Sequence, residues 1–235
     1  MKICVIIPIL KNENFEEVTE KEFKAAARPD TEIIVKSLEK GPASIESMYD
    51  EYLAAPWILE KIKEAEEDGF NAVIIDCMGD PGLHGARELV KIPVIGPCEA
   101  SMALAHVICH RFSVVTVLDA VLPLLERLVK VYGFEDRFAS VRSIDIPVLE
   151  LEKEDETRAA LLAESKRAIE EDGADTIILG CTGMIGLAKW LQDSLGVPVI
   201  DPAIASLKVA ESLVDMGISH SKKVYPKPTE KLRIS

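Results

Sequence analysis

The sequence predicts an α/β fold of two similar doubly wound parallel-sheet lobes, related by a pseudo-twofold axis, with an active site in the cleft between them. Two observations predict it. Short apolar runs alternate with amphipathic stretches, and the second half of the chain repeats features of the first. Apolar runs rich in Val and Ile are typical of parallel strands buried on both faces. Amphipathic stretches between such runs are typical of crossover helices.

Eight apolar runs are predicted as strands. They are Ile3–Ile7, Glu32–Val35, Ala72–Ile75, Pro93–Ile95, Phe112–Leu118, Ala139–Ile144, Thr176–Leu179 and Val197–Ile200. Two sets of residues between them repeat at helical spacing and predict core-facing helices. These sets are Ile58, Leu59, Ile62 and Ala65, and Leu161, Leu162, Ser165, Ala168 and Ile169.

The internal repeat places two cysteines at equivalent points. The segment Glu66–Gly69 ends eight residues before Cys77, and the matching segment Glu170–Gly173 ends eight residues before Cys181. Two further blocks match, namely Ile92–Ile95 with Val197–Ile200, and Ala100-Ser101 with Ala205-Ser206. We therefore expect residues 1–98 to form one lobe and residues 99–202 the other, with residues 203–225 packing back on the first.

Cys77 and Cys181 are predicted to be the catalytic residues. Each follows the carboxyl end of a predicted strand, where open α/β sheets bind ligands, and each is followed by glycine-containing turn sequence. A cysteine ordinarily packs as a small buried apolar residue, but packing alone does not explain two cysteines at equivalent strand ends. Two facing thiols suit inversion of a carbon centre, in which one removes a proton and the other returns one to the opposite face. We expect backbone N–H groups of the glycine-rich segments to lower the pKa of each thiol, and the sulfurs to stand roughly 6 to 7 Å apart.

Composition excludes several classes of function. A formal net charge of −13 argues against sequence-independent nucleic-acid binding, so a small molecule is the expected partner. The apolar opening Ile3–Leu10 is better explained as a buried strand than as a signal peptide, and no apolar run is long enough to cross a membrane. Five cysteines without a CxxC pair favour the cytoplasm over a disulfide framework or zinc ribbon. The absence of nucleotide-binding glycine motifs and of an evident Schiff-base lysine predicts no cofactor.

The motifs around both cysteines resemble those of hydantoin racemases, within the aspartate/glutamate/hydantoin racemase superfamily. The resemblance rests on Asp76–Leu83 and Gly180–Met184, with supporting matches at Gly41–Ser47, Glu99–Met102 and Asp145–Leu151. It implies racemisation of 5-monosubstituted hydantoins or allantoin without metal or cofactor, in a homo-oligomer. Met78-Gly79 after Cys77 favours the hydantoin branch over the aspartate and glutamate branches, which usually have Asn-Thr there.

One departure from the family bears on the substrate. Ile7-Pro8-Ile9 stands where the family typically has Asn-Pro-Asn, so two polar side chains are replaced in the expected pocket. Allantoin racemase and aspartate/glutamate racemase therefore stay open as alternatives. Maleate isomerase and malonate decarboxylase relatives are less favoured, because the decarboxylases lack one of the two thiols. A non-catalytic two-lobed binding protein would not need the pair.

The remaining expectations concern the pocket. The predicted substrate-binding residues are Pro8, Ser44, Ile45, Met78, Gly79, Thr116, Val117, Thr182 and Gly183, with Ser44 and Thr116 as candidate hydrogen-bonding partners of a ring imide. Asp76 and Asp80 are expected to cap the following helix as readily as to act on Cys77. His84 is more readily explained as surface than as a cleft residue. A metal half-site formed by His106, Cys109 and His110, with or without Cys98, is less favoured than a place for these residues on the helix surface or in packing.

Overall fold

The computed structural model describes residues 1–232, in which all eight predicted strands form two four-stranded parallel sheets. The first sheet contains β1 (Lys2–Leu10), β2 (Glu32–Leu38), β3 (Ala72–Ile75) and β4 (Val94–Ile95), in the order β2-β1-β3-β4. The second contains β5 (Phe112–Thr116), β6 (Phe138–Ser143), β7 (Thr176–Leu179) and β8 (Val199–Ile200), in the order β6-β5-β7-β8. The second sheet thus has the strand order of the first, as the repeat predicts.

Helices cover both faces of each sheet, which confirms the doubly wound α/β class. They are α1 (Glu13–Ala26), α2 (Met48–Glu67), α3 (Leu83–Leu89), α4 (Pro97–Ile108), α5 (Leu122–Tyr132), α6 (Glu154–Glu170), α7 (Ala188–Leu195) and α8 (Pro202–Asp215). Helices α2 and α3 contribute to one core cluster of the first sheet, and α6 and α7 to one of the second. No helix within residues 1–232 is long and apolar enough to span a bilayer.

Two helices are exchanged between the sheets. Helix α4 follows the first sheet in the chain, yet its Met102 and Ala105 lie in a core cluster with strands of the second sheet. Helix α8 follows the second sheet, yet its Leu207 and Ala210 lie in a core cluster with strands of the first. The two helices also pack against each other. The lobe boundary at residues 98 and 99 stays a prediction.

The segment after α8 is hydrogen-bonded to the first half of the chain. Nε2 of His220 accepts a hydrogen bond of 2.8 Å from the backbone N–H of Val94. Lys222 donates to the carbonyl oxygens of Arg87, at 2.6 Å, and Val90. The ammonium group of Lys222 therefore satisfies carbonyl groups at the carboxyl end of α3, where a cation is favourable.

Five strands differ in length from the sequence prediction, namely β1, β2, β4, β5 and β8. Strand β1 continues to Leu10, three residues beyond the predicted end, and its pairing with β2 shifts register between Ile7 and Leu10. Pro8 has no N–H to donate, so the regular ladder is interrupted there. Strand β5 ends at Thr116, two residues short of the predicted end, before a 3-10 turn at Asp119–Val121.

Candidate active site

Both cysteines lie just past the carboxyl ends of central strands and line the same cavities. Cys77 follows β3 and Cys181 follows β7. Both side chains are free thiols of intermediate exposure. They line a large cavity of about 610 Å³ and a smaller one of about 50 Å³. Residues of both halves of the chain form the walls, and both cysteines are accessible from the same cavity.

Gly180 permits the close approach of strands that positions Cys181. A Cβ atom at Gly180 would lie 2.5 Å from the Cβ of Thr116 and 2.8 Å from the carbonyl oxygen of Val115. The hydroxyl of Thr116 donates a 2.9 Å hydrogen bond to the carbonyl of Gly180. Thr116 therefore joins β5 to the end of β7, and its proton is already used within the protein.

A hydrogen bond joins the two cysteine loops directly. The hydroxyl of Thr182, next to Cys181, donates to the backbone carbonyl of Asp76, next to Cys77, at 3.0 Å. Both groups are buried, so neither has ready access to water as an alternative partner. The bond fixes the relative positions of the two loops.

Two further hydrogen bonds connect the halves of the chain near this point. The N–H of Val148 donates to Glu46 at 2.8 Å, and the hydroxyl of Tyr132 donates to Asp80 at 2.8 Å. Val148 belongs to the 3-10 turn Val148–Glu150, and Tyr132 is the last residue of α5. Both sides of the site are therefore held across the cleft.

Burial raises the pKa of both thiols, opposite to the direction expected from sequence. It raises the pKa of Cys181 to about 12, although the N–H of Gly183 donates to this sulfur at 3.4 Å and acts in the lowering direction. The pKa of Cys77 is raised well above its ordinary value by burial and then by Glu51, while the N–H of Gly79 lowers it. The expected N–H donors are present, but loss of hydration outweighs them.

Two carboxyl groups near Cys77 have different environments. Asp80 accepts hydrogen bonds of 3.0 Å from the N–H groups of Cys98 and Glu99, so it caps α4 rather than the immediately following α3. Asp76 lines the large cavity, and its Oδ1 has no hydrogen-bond partner among the described residues. Burial, with Asp201 nearby, raises the pKa of Asp76 to about 7.

The structure brings most predicted substrate-binding residues to the cavities. Pro8 and Gly183 line the large one, Met78, Gly79, Thr116 and Val117 line the small one, and Ile45 and Thr182 line both. Ser44 lines neither cavity, although its neighbour Ile45 does. Assignment of these residues to substrate binding stays a prediction.

Sequence reasoning did not identify several residues of the walls. Apolar side chains of α1 and of the segment before α6 contribute to the large cavity, namely Phe15, Val18, Val148, Leu149 and Leu151. Glu51 lines the small cavity. A signal for Glu51 exists in the sequence, because it lies three residues before Ala54 and seven before Ile58 on the buried face of α2. An acidic residue in an apolar helical stripe indicates a buried carboxyl group.

The weaker sequence signals lie outside these cavities. His84 is exposed and stacks on Tyr132 at a ring-centroid distance of 6.2 Å. His106 contacts Phe134, and the backbone carbonyl of Cys109 accepts a hydrogen bond from Arg137. Within residues 1–232 no group of three or more His, Cys, Asp or Glu side chains is placed to hold a metal ion.

Comparisons with known proteins agree with this geometry. The family model described as Asp/Glu/Hydantoin racemase matches residues 3–210. A hydantoin racemase from Pseudomonas sp. (strain NS671) is 49% identical over 210 residues, covering 88% of this chain and 84% of its own. The structure of an allantoin racemase from Klebsiella pneumoniae is 39% identical with a TM-score of 0.94, covering 100% of this chain and 96% of its own. That of an allantoin racemase from Pseudomonas fluorescens is 37% identical with a TM-score of 0.95, covering 100% of both chains.

The bond between the two cysteine loops gives a prediction about stability. Thr182→Val keeps the shape of the side chain but leaves the carbonyl of Asp76 without this donor, so the free energy of unfolding should fall by about 1 to 3 kcal/mol. Denaturant unfolding measures the change. Thr176→Val is the matched control, because the buried Thr176 hydroxyl has no partner among residues 1–232, and that variant should be at least as stable as the parent. Equal losses in both variants would show that the bond contributes nothing particular.

Proposed function

This chain belongs to the Asp/Glu/hydantoin racemase family, and we propose that it interconverts the enantiomers of a 5-monosubstituted hydantoin without a cofactor. The observation that carries the proposal is that Cys77 and Cys181, at equivalent points of the repeat, line the same cavity. The named activity of the hydantoin racemase relative, 49% identical, supports the substrate class.

We propose that the two thiols act as a base and an acid on opposite faces of the substrate. A thiolate at one cysteine removes the proton from C5 of the ring, and the electron pair left on C5 is delocalised onto the adjacent carbonyl oxygen. The thiol of the other cysteine then donates its proton to the opposite face of C5. The two sulfurs exchange protonation states in each turnover, so no metal or organic cofactor is required.

The character of the large cavity supports a substrate with an apolar ring substituent. Ile7, Ile9 and Phe15 line it from the first half of the chain, and Val148 and Leu151 from the second. Polar side chains such as Asn14 and Glu22 also line the cavity, but its apolar patch favours an apolar group over the ureido group of allantoin or the side-chain carboxylate of aspartate or glutamate.

The cations at this cavity support the same choice. Lys21 and Arg158 are the lysine and arginine side chains that line it in the described part of the chain. Arg158 is already bonded to Glu154 at 2.8 Å and lies over the ring of Trp190. With both of these contacts, Arg158 is not arranged as a bidentate ligand for the α-carboxylate of a free amino acid.

Retention of two thiols favours racemisation over the rival chemistries. A malonate decarboxylase needs only one of the cysteines, and a binding protein needs neither. The substrate is expected to contact Pro8, Ile45, Met78, Gly79 and the backbone around Thr182. Homo-oligomeric assembly and a cytoplasmic location remain part of the proposal, supported by the family resemblance and by cysteines that are all free among the described residues.

The proposed substrate preference can be measured by the decay of optical rotation. Single enantiomers of hydantoins with alkyl or aromatic 5-substituents should racemise with the highest kcat/KM, because the apolar walls bind the substituent. Allantoin, aspartate and glutamate are tested as alternative substrates in parallel assays. Cys109→Ala, which removes a cysteine outside both cavities, should behave like the parent protein. Faster turnover of allantoin or of a free amino acid would overturn the substrate assignment.

The proposed role of the thiols predicts a specific pattern of chemical inactivation. Alkylation at Cys77 or Cys181 should abolish racemisation, and a bound hydantoin should slow the labelling of both. Mass spectrometry of peptides should show slower labelling of Cys4, Cys98 and Cys109, since these are buried. Full activity with both cavity thiols alkylated would rule out the mechanism.

A further inference from the structure

Glu51 is a buried carboxyl group next to the site that the two-thiol mechanism does not use. It lies in the first turn of α2 and is only 5% exposed. Its Oε1 has no hydrogen-bond partner among the described residues. A buried oxygen that accepts no hydrogen bond is costly, particularly when it carries charge. Such a group calls for a chemical explanation.

The loop after Cys77 is shaped to admit this carboxyl group. A Cβ atom at Gly79 would lie only 1.7 Å from Oε1 of Glu51, so any other residue at this position would displace the carboxyl group or the loop. Glu51 and Cys77 both line the small cavity, whose volume of about 50 Å³ is that of one or two water molecules. The negative charge of Glu51 is, after burial, the largest cause of the raised pKa of Cys77.

The other charged and titratable groups around Glu51 differ from it in exposure or in hydrogen bonding. Arg127 of α5 is exposed and lowers the pKa of Glu51, while Asp80 raises it. Cys98 of α4 is fully buried, and its pKa is raised by burial, by Asp80 and by smaller contributions that include Glu51. Both oxygens of Asp80 already accept hydrogen bonds, from α4 and from Tyr132. Asp76 also has a buried oxygen without a partner among the described residues, but its charge is a cause of the raised pKa of Cys181 and not of Cys77. Glu51 is therefore the carboxyl group with an unpartnered buried oxygen whose charge acts on Cys77.

We propose that Glu51 is the resident acceptor of the Cys77 thiol proton. The S–H bond of Cys77 breaks and the electron pair stays on sulfur, while one water molecule in the small cavity takes this proton and passes one of its own to the Glu51 carboxylate, where an O–H bond forms. The total charge of the site is unchanged by this step. The proposal rests on the proposed function, in which Cys77 must become a thiolate. Glu51 acts through Cys77 and does not contact the reacting carbon.

Sharing one charge between the two groups has a measurable consequence. Burial raises the pKa of Glu51 to about 7, so above that pH the pair carries one negative charge. The fraction of that charge on sulfur depends only on the internal equilibrium and not on pH. The thiolate population of Cys77 should therefore rise up to about pH 7 and then level off, until the form in which Glu51 and Cys77 are both ionised contributes more thiolate than the singly charged pair.

Replacing the acceptor should remove this levelling. In Glu51→Gln the neighbour of Cys77 is neutral at every pH, as protonated Glu51 is, so the thiolate population should keep rising about tenfold per pH unit. Labelling of Cys77 by iodoacetamide, resolved by peptide mass spectrometry in the substrate-free protein, measures this population. The variant and the parent should label alike below about pH 6. At about pH 9 the variant should label faster than the parent by up to about 100-fold.

Three controls separate this outcome from a structural effect. Glu51→Asp keeps a carboxyl group and should retain the plateau, and Glu60→Gln, on the exposed side of α2, should match the parent. Asp80→Asn removes the other carboxyl group that raises the pKa of Cys77, and it should also retain the plateau. Cys181 provides an internal reference, because Glu51 is not among the causes of its raised pKa.

The profile of the parent protein alone can overturn the proposal. A tenfold rise per pH unit between about pH 7 and pH 9 in the parent, or a plateau that survives in Glu51→Gln, would exclude Glu51 as the acceptor. Loss of the plateau in Asp80→Asn but not in Glu51→Gln would assign the role to Asp80. If Glu51→Gln does not fold, the parent and Glu51→Asp profiles decide. Since labelling needs no racemisation substrate, an inactive enzyme with an intact plateau would refute the proposed function and not this inference.

Discussion

The geometry of the site depends on the hydrogen bond from the Thr182 hydroxyl to the carbonyl of Asp76. In the proposed mechanism the two thiols act on opposite faces of one carbon, which requires a fixed separation, and they belong to different halves of the chain. This bond joins the residue after one cysteine to the residue before the other. The bonds from Val148 to Glu46 and from Tyr132 to Asp80 hold the surrounding loops in the same way.

Burial excludes water from the site and also makes both thiols harder to ionise. A carbanion is better protected from solvent in such a cavity, but the same surroundings raise the pKa of Cys77 and Cys181. The charged side chains that shift these pKa values are carboxyl groups, Glu51 and Asp80 at Cys77 and Asp76 and Glu46 at Cys181. Carboxyl groups rather than cations surround the thiols, so a thiolate can form most readily when its proton is kept within the site.

Much of the fold was predictable from the sequence. The periodicity of apolar residues indicates strands and helices, and the internal repeat indicates a duplicated arrangement of them. Runs such as Ala72–Ile75 and Thr176–Leu179 are buried on both faces, which leaves a clear apolar signal. The repeat then located Cys77 and Cys181 without knowledge of packing. The faces that α4 and α8 turn towards the two sheets were not predicted, because they depend on packing between distant parts of the chain. The capping of α4 by Asp80 also joins residues that are distant in sequence.

The features of the site that escaped prediction are those set by its surroundings. Sequence reasoning found the N–H donors near both sulfurs, but it gave the wrong direction for the pKa values, because desolvation depends on the whole fold. Glu51 was not identified because its carboxyl group approaches the loop after Cys77 at Gly79, where there is no side chain, and this approach is not visible in the sequence. Ser44 and Ile45 were indistinguishable as cavity residues until the direction of the loop was known.

Hydrogen exchange in single-cysteine variants tests the paired-thiol account most directly. In Cys77→Ala, Cys181 should still exchange the C5 hydrogen of one hydantoin enantiomer for solvent deuterium with retention of configuration, and Cys181→Ala should do so for the opposite enantiomer. Racemisation should fall by about 10² to 10⁴ in each, as expected for loss of a general acid or base. Near-parental racemisation in either variant, or exchange of the same enantiomer by both, would contradict the account.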